Sequence, residues 1–418
     1  MSLAHETSLS ALAFDPKAFR RLPELTGAPR AFRAALRLMA RNWLAGSLAF
    51  ITPSGGELRL VGEKPGPSAR LIIRDYRFMR RVLGSGDIGF AEGYMAGEWE
   101  TPDLSALLQV LTLNIDRLQR MLDRNPATRM INKVRHVLRT NTKAGSRRNI
   151  HAHYDLGNAF YSRWLDPTMT YSSARYQRRG QDLAEAQTHK YRTLARSMGL
   201  VAGHQVLEIG CGWGGFAEFA AREVGARVTG ITISQEQYDF ARRRMFEQGL
   251  AEKSEIRLVD YRDVEGQFDR VASIEMFEAV GEKYWPAYFG KVGEVLKPGG
   301  RAGLQIITIR DELFEGYRRR PDFIQKYIFP GGMLPSEARL KAETDRAGLS
   351  WAGISRFPRH YADTLAEWAV RFEGAWDDIR KLGFDERFRR LWRFYLSYCE
   401  AGFRTERTNV VQLTLAKG

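Results

Sequence analysis

The pattern that most constrains the fold is a regular alternation of strand-like and helix-like segments, which begins near residue 185. Short runs rich in Val, Ile and Leu alternate with longer stretches in which apolar residues recur at helical spacing. The successive segments are a helix near 183–198, HQVLEIG, GFAEFAAREVG, ARVTGITIS, QEQYDFARRRMFEQGL, SEIRLVD, FDRVASIE, a helix ending at LKPGG, and RAGLQIITI. Such alternation predicts an α/β domain with an open, mostly parallel sheet and helices on both faces.

The glycine-rich loop after the first strand of this domain, GCGWGG at 210–215, matches the spacing G-x-G-x-x-G. A dinucleotide site also needs an acidic residue at the end of the next strand, which here ends GITIS. A nucleoside triphosphate site needs Lys followed by Ser or Thr after the glycines, and here the sequence is GGFAE. Both phosphate-binding interpretations therefore fail at the residues that would hold phosphate.

Acidic residues lie where the carboxyl edge of the sheet is expected. Glu208 precedes Gly210 by two residues, and Asp260 closes the third strand. In open α/β sheets, ligands bind outside the carboxyl ends of the strands. Carboxylates at this edge suit an amine, a ribose or an adenine amino group, and they disfavour a polyphosphate. The residues therefore predict S-adenosylmethionine as the ligand.

Several further segments occur in a fixed order along the chain. The six most specific are VLEIGCGWGGFAEFAA, GITISQEQ, DYRD, FDRVASIEMFEAVG, LKPGG and KYIFPGGMLPS; four others are GFAEGYMAGEWETPDLSALL, HYDLGNAFYSRWLDPTMTYSSARY, HYADTLAEWAVRF and YLSYCEAGFRTERTNVVQL. Together they resemble the cyclopropane-fatty-acyl-phospholipid synthase family of S-adenosylmethionine-dependent methyltransferases, over roughly residues 80–415. The resemblance implies a class I Rossmann-like methyltransferase domain and a smaller α+β N-terminal domain that presents the lipid.

The resemblance also implies which residues hold the cofactor. The matching positions, together with Glu208, are Tyr171, Ser172, Gly210, Gly212, Gly214, Thr232, Gln237, Asp260, Tyr261 and Ile274. The first two would cover the cofactor, the glycines would hold its amino-acid tail, and Ile274 would form an adjoining wall. Thr232 and Gln237 would serve the ribose region, and Asp260 with Tyr261 the adenine.

Family members act on cis double bonds in acyl chains of membrane phospholipids, and cyclopropane-forming relatives use a bicarbonate ion as the base. The residues that match its pocket are Ser173, Glu278, Gln305, Ile307 and Tyr361. Ser173 stands where those relatives carry Cys, and Ala279 and Gln305 stand where many carry His. These departures weaken the case for bicarbonate, although Ala and Gln variants occur elsewhere in the family. Glu278 and Tyr361 remain, and either could orient a base or act as one.

The residues at the bicarbonate positions leave two products of the reaction open, a methyl-branched alkene and a cyclopropane. Methyl transfer to an alkene leaves a carbocation, which aromatic faces can stabilise. The candidate rings are Tyr154, Phe160, Tyr161, Trp164 and Tyr171, for which simple core packing is the alternative. Without bicarbonate, loss of a proton from the neighbouring chain carbon leaves a methyl-branched chain with a double bond, as in relatives that begin furan or branched fatty-acid synthesis. We favour this product, and a cyclopropane is the alternative.

The charge of the chain is concentrated near its start. The formal net charge is +15, and residues 1–150 hold 24 Lys and Arg against 13 Asp and Glu. We therefore expect a basic lipid- or membrane-binding domain at 1–138, a linker at 139–149 and the methyltransferase domain at 150–418. In one segment of the basic domain, arginines alternate with apolar residues at helical spacing: Arg30, Arg33, Arg37 and Arg41, with Phe32, Leu36, Met39, Trp43 and Leu44. This pattern fits either a helix in a membrane interface or a helix packed on its own domain.

Cysteine content, apolar runs and the first residues of the chain indicate where in the cell the protein is expected. Cys211 and Cys399 form no disulfide framework, and Cys211 is interpreted as a small residue of the loop. No apolar run approaches the roughly 20 residues that cross a bilayer, and the first residues do not resemble a signal peptide. We expect a cytoplasmic protein associated peripherally with the inner face of the membrane, with phospholipid and an anionic surface as partners. Its oligomeric state, including a homo-oligomer, stays open.

Other function classes are weaker. A catalytically inactive lipid-binding protein would not need Glu208, Asp260 and Glu278. A nucleic-acid methyltransferase would need a recognition module, and none is present. His151 and His153 form no larger cluster in the sequence, so we expect no metal and no nucleic acid.

Overall fold

The computed structural model describes residues 22–124 and 156–418. The chain divides into two compact units, Met1–Gly145 with Asp385–Thr405 and Ser146–Phe384 with Glu406–Gly418. The predicted linker at 139–149 lies outside the described residues, as do His151, His153 and Tyr154.

The strands of the described residues form two sheets. They are β1 (Ala45–Ile51), β2 (Glu57–Val61), β3 (Lys64–Ile73), β4 (Trp99–Glu100), β5 (Gln205–Ile209), β6 (Arg227–Thr232), β7 (Ser254–Leu258), β8 (Phe268–Ile274), β9 (Leu296–Ile309), β10 (Leu349–Arg356) and β11 (Thr408–Lys417). The first four form a sheet of order β2-β1-β3-β4 in the first unit. The other seven form the sheet of the second unit, in the order β10-β11-β9-β8-β5-β6-β7.

The α-helices of the described residues precede, separate and follow these strands. They are α1 (Arg30–Asn42), α2 (Arg77–Ser85), α3 (Asp87–Met95), α4 (Leu104–Arg124), α5 (Gly157–Tyr161), α6 (Leu183–Ser197), α7 (Gly215–Phe219), α8 (Gln235–Glu247), α9 (Trp285–Val295), α10 (Asp311–Tyr317), α11 (Phe323–Tyr327), α12 (Glu337–Arg346), α13 (Pro358–Gly374), α14 (Trp376–Lys381) and α15 (Glu386–Arg404). None of them is long and apolar enough to cross a membrane.

In the first unit, helix α1 packs its apolar side into the core of the unit. Phe32 and Leu36 are buried, and the Phe32 ring lies 6.0 Å from that of Phe50 and 5.1 Å from that of Tyr76, measured between centroids. Arg30 and Arg41 are exposed. The second interpretation of this segment, a helix packed on its own domain, therefore describes its apolar face.

Helices α4 and α15 complete the first unit. Asp103 caps α4, because its Oδ1 accepts the backbone N–H of Ala106 at 2.9 Å. Although α15 follows the helices and most strands of the second unit in sequence, it belongs to the first unit. Its Arg390 donates to the Tyr94 carbonyl at 2.8 Å and to Glu100 at 3.1 Å. The chain thus returns to the first unit before its last strand.

The second unit has the predicted α/β fold. Strands β7, β6, β5, β8 and β9 are mutually parallel, and β11 and β10 extend the sheet as antiparallel strands. Their side chains alternate between two cores: Leu207 packs with Phe289 and others on one face, and Val206 packs with Ala217 and others on the opposite face. Burial on both faces explains why these strands read as continuous apolar runs. The predicted strands and the fold class are confirmed.

Candidate active site

The glycine loop leaves the carboxyl end of β5 in a conformation that favours glycine. Gly210, Gly212 and Gly214 have φ angles of +79°, +52° and +83°. A methyl group added at Gly210 would lie 2.6 Å from Cγ of Met276. Side chains larger than hydrogen are therefore excluded at Gly210, because Met276 fills the space beside it.

A cleft lies beside this loop. It is lined by Gly157, Asn158, Tyr161, Tyr171, Trp213, Ser234, Glu236 and Gln237. The structure thus brings together Tyr171 and Gln237, two predicted cofactor residues from distant segments, with Trp213 of the loop. The Thr232 hydroxyl donates to Oε1 of Gln237 at 2.8 Å. This contact fixes the orientation of the Gln237 amide at the end of β6.

The two acids predicted at the edge of the sheet, Glu208 and Asp260, have pKa values shifted in opposite directions. Glu208 is buried, which raises the pKa of its carboxyl to about 8, and its Oε2 has no hydrogen-bond partner among the described residues. Asp260 accepts hydrogen bonds from the backbone N–H, Nε and Nη2 of Arg262 at 3.0, 2.9 and 2.7 Å. These bonds hold the pKa of the Asp260 carboxyl below its ordinary value.

The other predicted cofactor residues also lie at this edge or next to it. Tyr261 follows Asp260, and its ring meets that of Tyr288 at 5.5 Å between centroids. Ile274 is the last residue of β8. Ser172 is buried, and its hydroxyl accepts a hydrogen bond from Nζ of Lys190 at 2.7 Å. Burial lowers the pKa of Lys190, and the charges of Glu275, Asp166 and Glu208 oppose this effect.

Three of the predicted catalytic residues meet at a carboxylate that the sequence analysis did not select, that of Glu275. Its Oε1 accepts the backbone N–H of Ser173 at 2.9 Å and Nε2 of Gln305 at 2.8 Å. Its Oε2 accepts the Tyr361 hydroxyl at 2.6 Å. We call these four residues the Glu275 network.

Strand register explains how the Glu275 network forms. Ile274 on β8 pairs with Gln305 on β9, and the N–H of Glu275 donates to the Gln305 carbonyl at 2.8 Å. On the other side of β9, Gln305 pairs with Gln412 of β11, whose Nε2 donates to Oε1 of Gln305 at 3.1 Å. Nε2 of Gln305 also donates to the Ser173 carbonyl at 3.2 Å. Both ends of the Gln305 amide are therefore satisfied inside the protein.

The remaining predicted catalytic residues pair with each other. Oε1 of Glu278 accepts the backbone N–H of Ile307 at 2.5 Å, and its Oε2 is buried without a partner among the described residues. Burial and the neighbouring charge of Glu275 raise the pKa of Glu278 to about 8. Ala279 is exposed and brings no polar side-chain atom. Cys211 is buried, and this raises the pKa of its thiol.

Sequence reasoning missed Glu275, Lys190 and Gln412. A signal for Glu275 was present, because it follows β8 directly, as Asp260 closely follows β7. The other two carry no such signal: a lysine on a helix and a glutamine on a strand usually face solvent.

Four of the five rings predicted to stabilise a cation, Phe160, Tyr161, Trp164 and Tyr171, form one packed cluster, and the fifth, Tyr154, lies outside the described residues. The Tyr171 ring lies 5.2 Å from that of Tyr161, 5.7 Å from Trp164 and 5.3 Å from Trp368, between centroids. Trp368 in turn lies 6.2 Å from Tyr361 of the Glu275 network. The cluster therefore connects the cofactor cleft with the network.

Comparison with known proteins identifies this arrangement. The family model described as mycolic acid cyclopropane synthetase matches residues 141–413, well over half of the chain. The chain belongs to this family. It is an S-adenosylmethionine-dependent methyltransferase of the cyclopropane synthase type, and the predicted family, enzyme class and methyl donor are confirmed.

Individual members of the family are similar over most of their length. The tuberculostearic acid methyltransferase of Mycobacterium tuberculosis is 38% identical over 417 residues, 95% of each chain. The cyclopropane-fatty-acyl-phospholipid synthase of Escherichia coli (strain K12) is 33% identical over 389 residues, 90% of this chain and 94% of its own. The crystal structure of the mycolic acid cyclopropane synthase CmaA1, complexed with SAH and CTAB, matches with a TM-score of 0.61 at 30% identity, over 65% of this chain and 98% of its own.

The residues of the cleft fit S-adenosylmethionine. In the glycine loop, whose Trp213 lines the cleft, the backbone at Gly212 is open, since no atom lies within 4 Å of a Cβ built there. Glu208, on the strand before the loop, has a buried oxygen without a partner among the described residues. Tyr171 and Gln237 offer an aromatic wall and an amide in the same cleft. The individual roles assigned to the predicted cofactor residues remain a proposal.

Proposed function

We propose that the protein transfers the methyl group of S-adenosylmethionine to a double-bond carbon of an unsaturated acyl chain in membrane phospholipid. The product we favour is a methyl-branched chain that still contains a double bond, a precursor of branched or furan fatty acids. The observation that carries this choice is that Ser173 and Gln305 direct their hydrogen bonds to protein groups, so they do not offer them to bicarbonate. Ring closure then lacks the base that familiar cyclopropane formers use.

The relatives support the class of substrate. One is named for tuberculostearic acid, a methyl-branched fatty acid, and another for fatty-acyl phospholipid. Both align with nearly the whole of this chain, so the likeness extends to the first unit as well as to the methyltransferase domain.

The proposed mechanism divides the work among the described residues. S-adenosylmethionine, when bound, supplies an electrophilic methyl group. The Gly210–Gly214 loop, Tyr171 and Gln237 hold the cofactor at the carboxyl edge of the sheet. The buried rings around Tyr171 exclude water and stabilise the positive charge that develops on the acyl chain. A proton must then leave the chain carbon next to the cation.

We also propose that the first unit holds the enzyme at the inner face of an anionic membrane. Arg30 and Arg41 of α1 are exposed, and basic residues near an anionic surface contribute about 1 kcal/mol each. Because the apolar side of α1 is buried, this attachment depends on charge rather than on insertion of the helix.

A cyclopropane is the second candidate product. Glu278 and Tyr361 are present in the site, and the Escherichia coli relative is named as a cyclopropane-forming enzyme. Both products add one carbon and two hydrogens, so the intact mass of the lipid cannot distinguish them.

Proton NMR distinguishes the two products directly. Purified protein, S-adenosylmethionine and vesicles of dioleoyl phosphatidylglycerol should yield a lipid with a new methyl signal and a retained vinyl proton. Vesicles of the same head group with saturated chains are the control and should take up no methyl group. Upfield methylene signals without a vinyl proton would show that the product is a cyclopropane.

A further inference from the structure

Bicarbonate does not fit the polar pocket of this protein. Ser173, Gln305 and Tyr361 match three of the positions that would bind the ion, and all three donate to the carboxylate of Glu275 instead. These donors therefore already have an acceptor, and a second anion beside that carboxylate would be repelled.

The Glu275 carboxylate, which accepts these hydrogen bonds, is chemically similar to bicarbonate. A glutamate carboxylate and bicarbonate each present two oxygens of a planar, negatively charged carboxyl group. Glu275 offers one oxygen to Ser173 and Gln305 and the other to Tyr361. The protein thus places a carboxylate of its own on the donor set assigned to bicarbonate.

We propose that the carboxylate of Glu275 is the resident general base of this enzyme and accepts the proton that the methylated acyl chain loses. The inference rests on the proposed function, since it concerns the last step of the same reaction. The C–H bond next to the cation breaks, its electron pair forms the new carbon–carbon double bond, and the proton forms an O–H bond with Glu275. The protonated side chain then releases the proton to water before the next turnover.

The backbone at Glu275 supports a functional placement. Its φ angle is +51°, in the left-handed region that residues other than glycine rarely adopt. Strain of this kind persists where the surrounding structure imposes it, and it is common at active sites. The next residue, Met276, packs against Gly210 of the glycine loop. The strained turn that carries Glu275 therefore lies beside the glycine loop.

The surroundings of Glu275 suit a base. Removal of its carboxyl from water raises the pKa of Glu275, whereas Tyr361, Gln305 and Lys190 act in the opposite direction. The carboxyl is therefore more basic than an ordinary glutamate and is still held by donors. Tyr361 also links it to the ring of Trp368, at 6.2 Å between centroids. The proton acceptor and the cation-stabilising aromatic cluster are thus adjacent.

Two variants at this position test the proposal. Glu275→Gln keeps the shape of the side chain but cannot take up the proton, so turnover should fall by about 100-fold or more. Glu275→Gly suits the positive φ angle and frees the three donors for a small anion. Glu265→Gln makes the same chemical change at an exposed carboxylate of the same unit and serves as the matched control.

The assays compare buffers freed of carbon dioxide with buffers that contain added bicarbonate. The wild type and Glu265→Gln should turn over equally in both, Glu275→Gln should stay slow in both, and Glu275→Gly should be rescued by bicarbonate. Binding of carbon-13 bicarbonate, followed by NMR with S-adenosylhomocysteine present, should be seen for Glu275→Gly and not for the wild type. Calorimetric titration with S-adenosylhomocysteine checks that each variant retains its fold and its cofactor site.

The outcomes separate this proposal from the one on which it rests. A wild type that requires bicarbonate, or a Glu275→Gln variant with full turnover, would overturn the role of Glu275 even if the product is a branched alkene. A cyclopropane formed without bicarbonate and lost in Glu275→Gln would overturn the proposed product and leave the base in place.

Discussion

At the scale of single residues, the acids at the edge of the sheet show how neighbours decide what a carboxylate does. Glu208 and Asp260 both lie near the carboxyl end of a parallel strand, Glu208 in β5 and Asp260 after β7. Burial raises the pKa of Glu208 to about 8, whereas Arg262, two residues after Asp260, lowers the pKa of Asp260. The position of such an acid is therefore predictable from the strand pattern, but its protonation state depends on tertiary burial.

The raised pKa of Glu208 predicts a pH dependence of stability. Its ordinary value is 4.5, so between that pH and about 8 the folded protein holds one proton more than the unfolded chain. The contribution of this group to stability is therefore complete below about pH 4.5 and is lost as the pH rises towards 8. A full proton difference corresponds to about 1.4 kcal/mol per pH unit.

Glu208→Gln removes this titration. The free energy of unfolding, measured by urea denaturation across this pH range, should fall less steeply with rising pH in the variant than in the wild type. Glu265→Gln, at an exposed carboxylate, should follow the wild-type curve. Parallel curves for the wild type and Glu208→Gln would show that the buried carboxyl does not take up a proton on folding.

At the scale of elements, the predictable parts are those with a local signal. Periodicity located the parallel strands and the helices between them, and the glycines located the loop after β5. The turn after β8 was not predictable, because nothing local requires a positive φ angle at Glu275. The turn lies between the pairing of β8 with β9 and the contact of Met276 with Gly210, both of which join segments distant in sequence. The place of Glu275 directly after β8 was a usable signal, but its contacts with Ser173, Gln305 and Tyr361 join distant segments and had no local signal.

Comparison of two glycines tests the close approach of these two turns. Gly210 and Gly203 have nearly the same φ angle, +79° and +81°, but no atom lies within 4 Å of a Cβ built at Gly203. Gly203→Ala should therefore cost only the strain of the left-handed backbone, about 1–2 kcal/mol. Gly210→Ala adds the collision with Met276, about a further 1–3 kcal/mol, and should weaken binding of S-adenosylhomocysteine.

Urea denaturation and calorimetric titration measure these two effects separately. Gly203→Ala should bind S-adenosylhomocysteine as the wild type does. Gly203 lies in the loop after α6, which contributes no residue to the cleft lining. Equal stability and equal binding of the two variants would mean that the loop has room at Gly210 and that Met276 does not define its shape.

At the scale of the whole molecule, elements that are consecutive in sequence do not always belong to the same compact unit. Helix α15 belongs to the first unit, yet β11, which follows it, is an internal strand of the second unit's sheet. The segment YLSYCEAGFRTERTNVVQL spans both elements and was recognisable only as one family motif. Sequence similarity therefore identified the family but could not assign the parts of this segment to separate units, since that depends on contacts between distant residues.

The uneven distribution of charge is the other property of the whole molecule, and it predicts how the protein meets a membrane. Arg30 and Arg41 are exposed on α1, whose apolar side is buried, so attachment through this helix should be electrostatic. Reversing both, in the double variant Arg30→Glu with Arg41→Glu, should weaken binding to phosphatidylglycerol vesicles by roughly 2 kcal/mol or more, about 30-fold. The difference should shrink at high salt, because exposed charges are screened.

The matched control, Arg227→Glu with Arg243→Glu, makes the same change in charge at exposed positions of the second unit and should leave binding nearly unchanged. Vesicle co-sedimentation at low and high salt measures both pairs, with phosphatidylcholine vesicles as the neutral reference. An equal loss in the two double variants would mean that net charge alone, rather than the surface of α1, governs association.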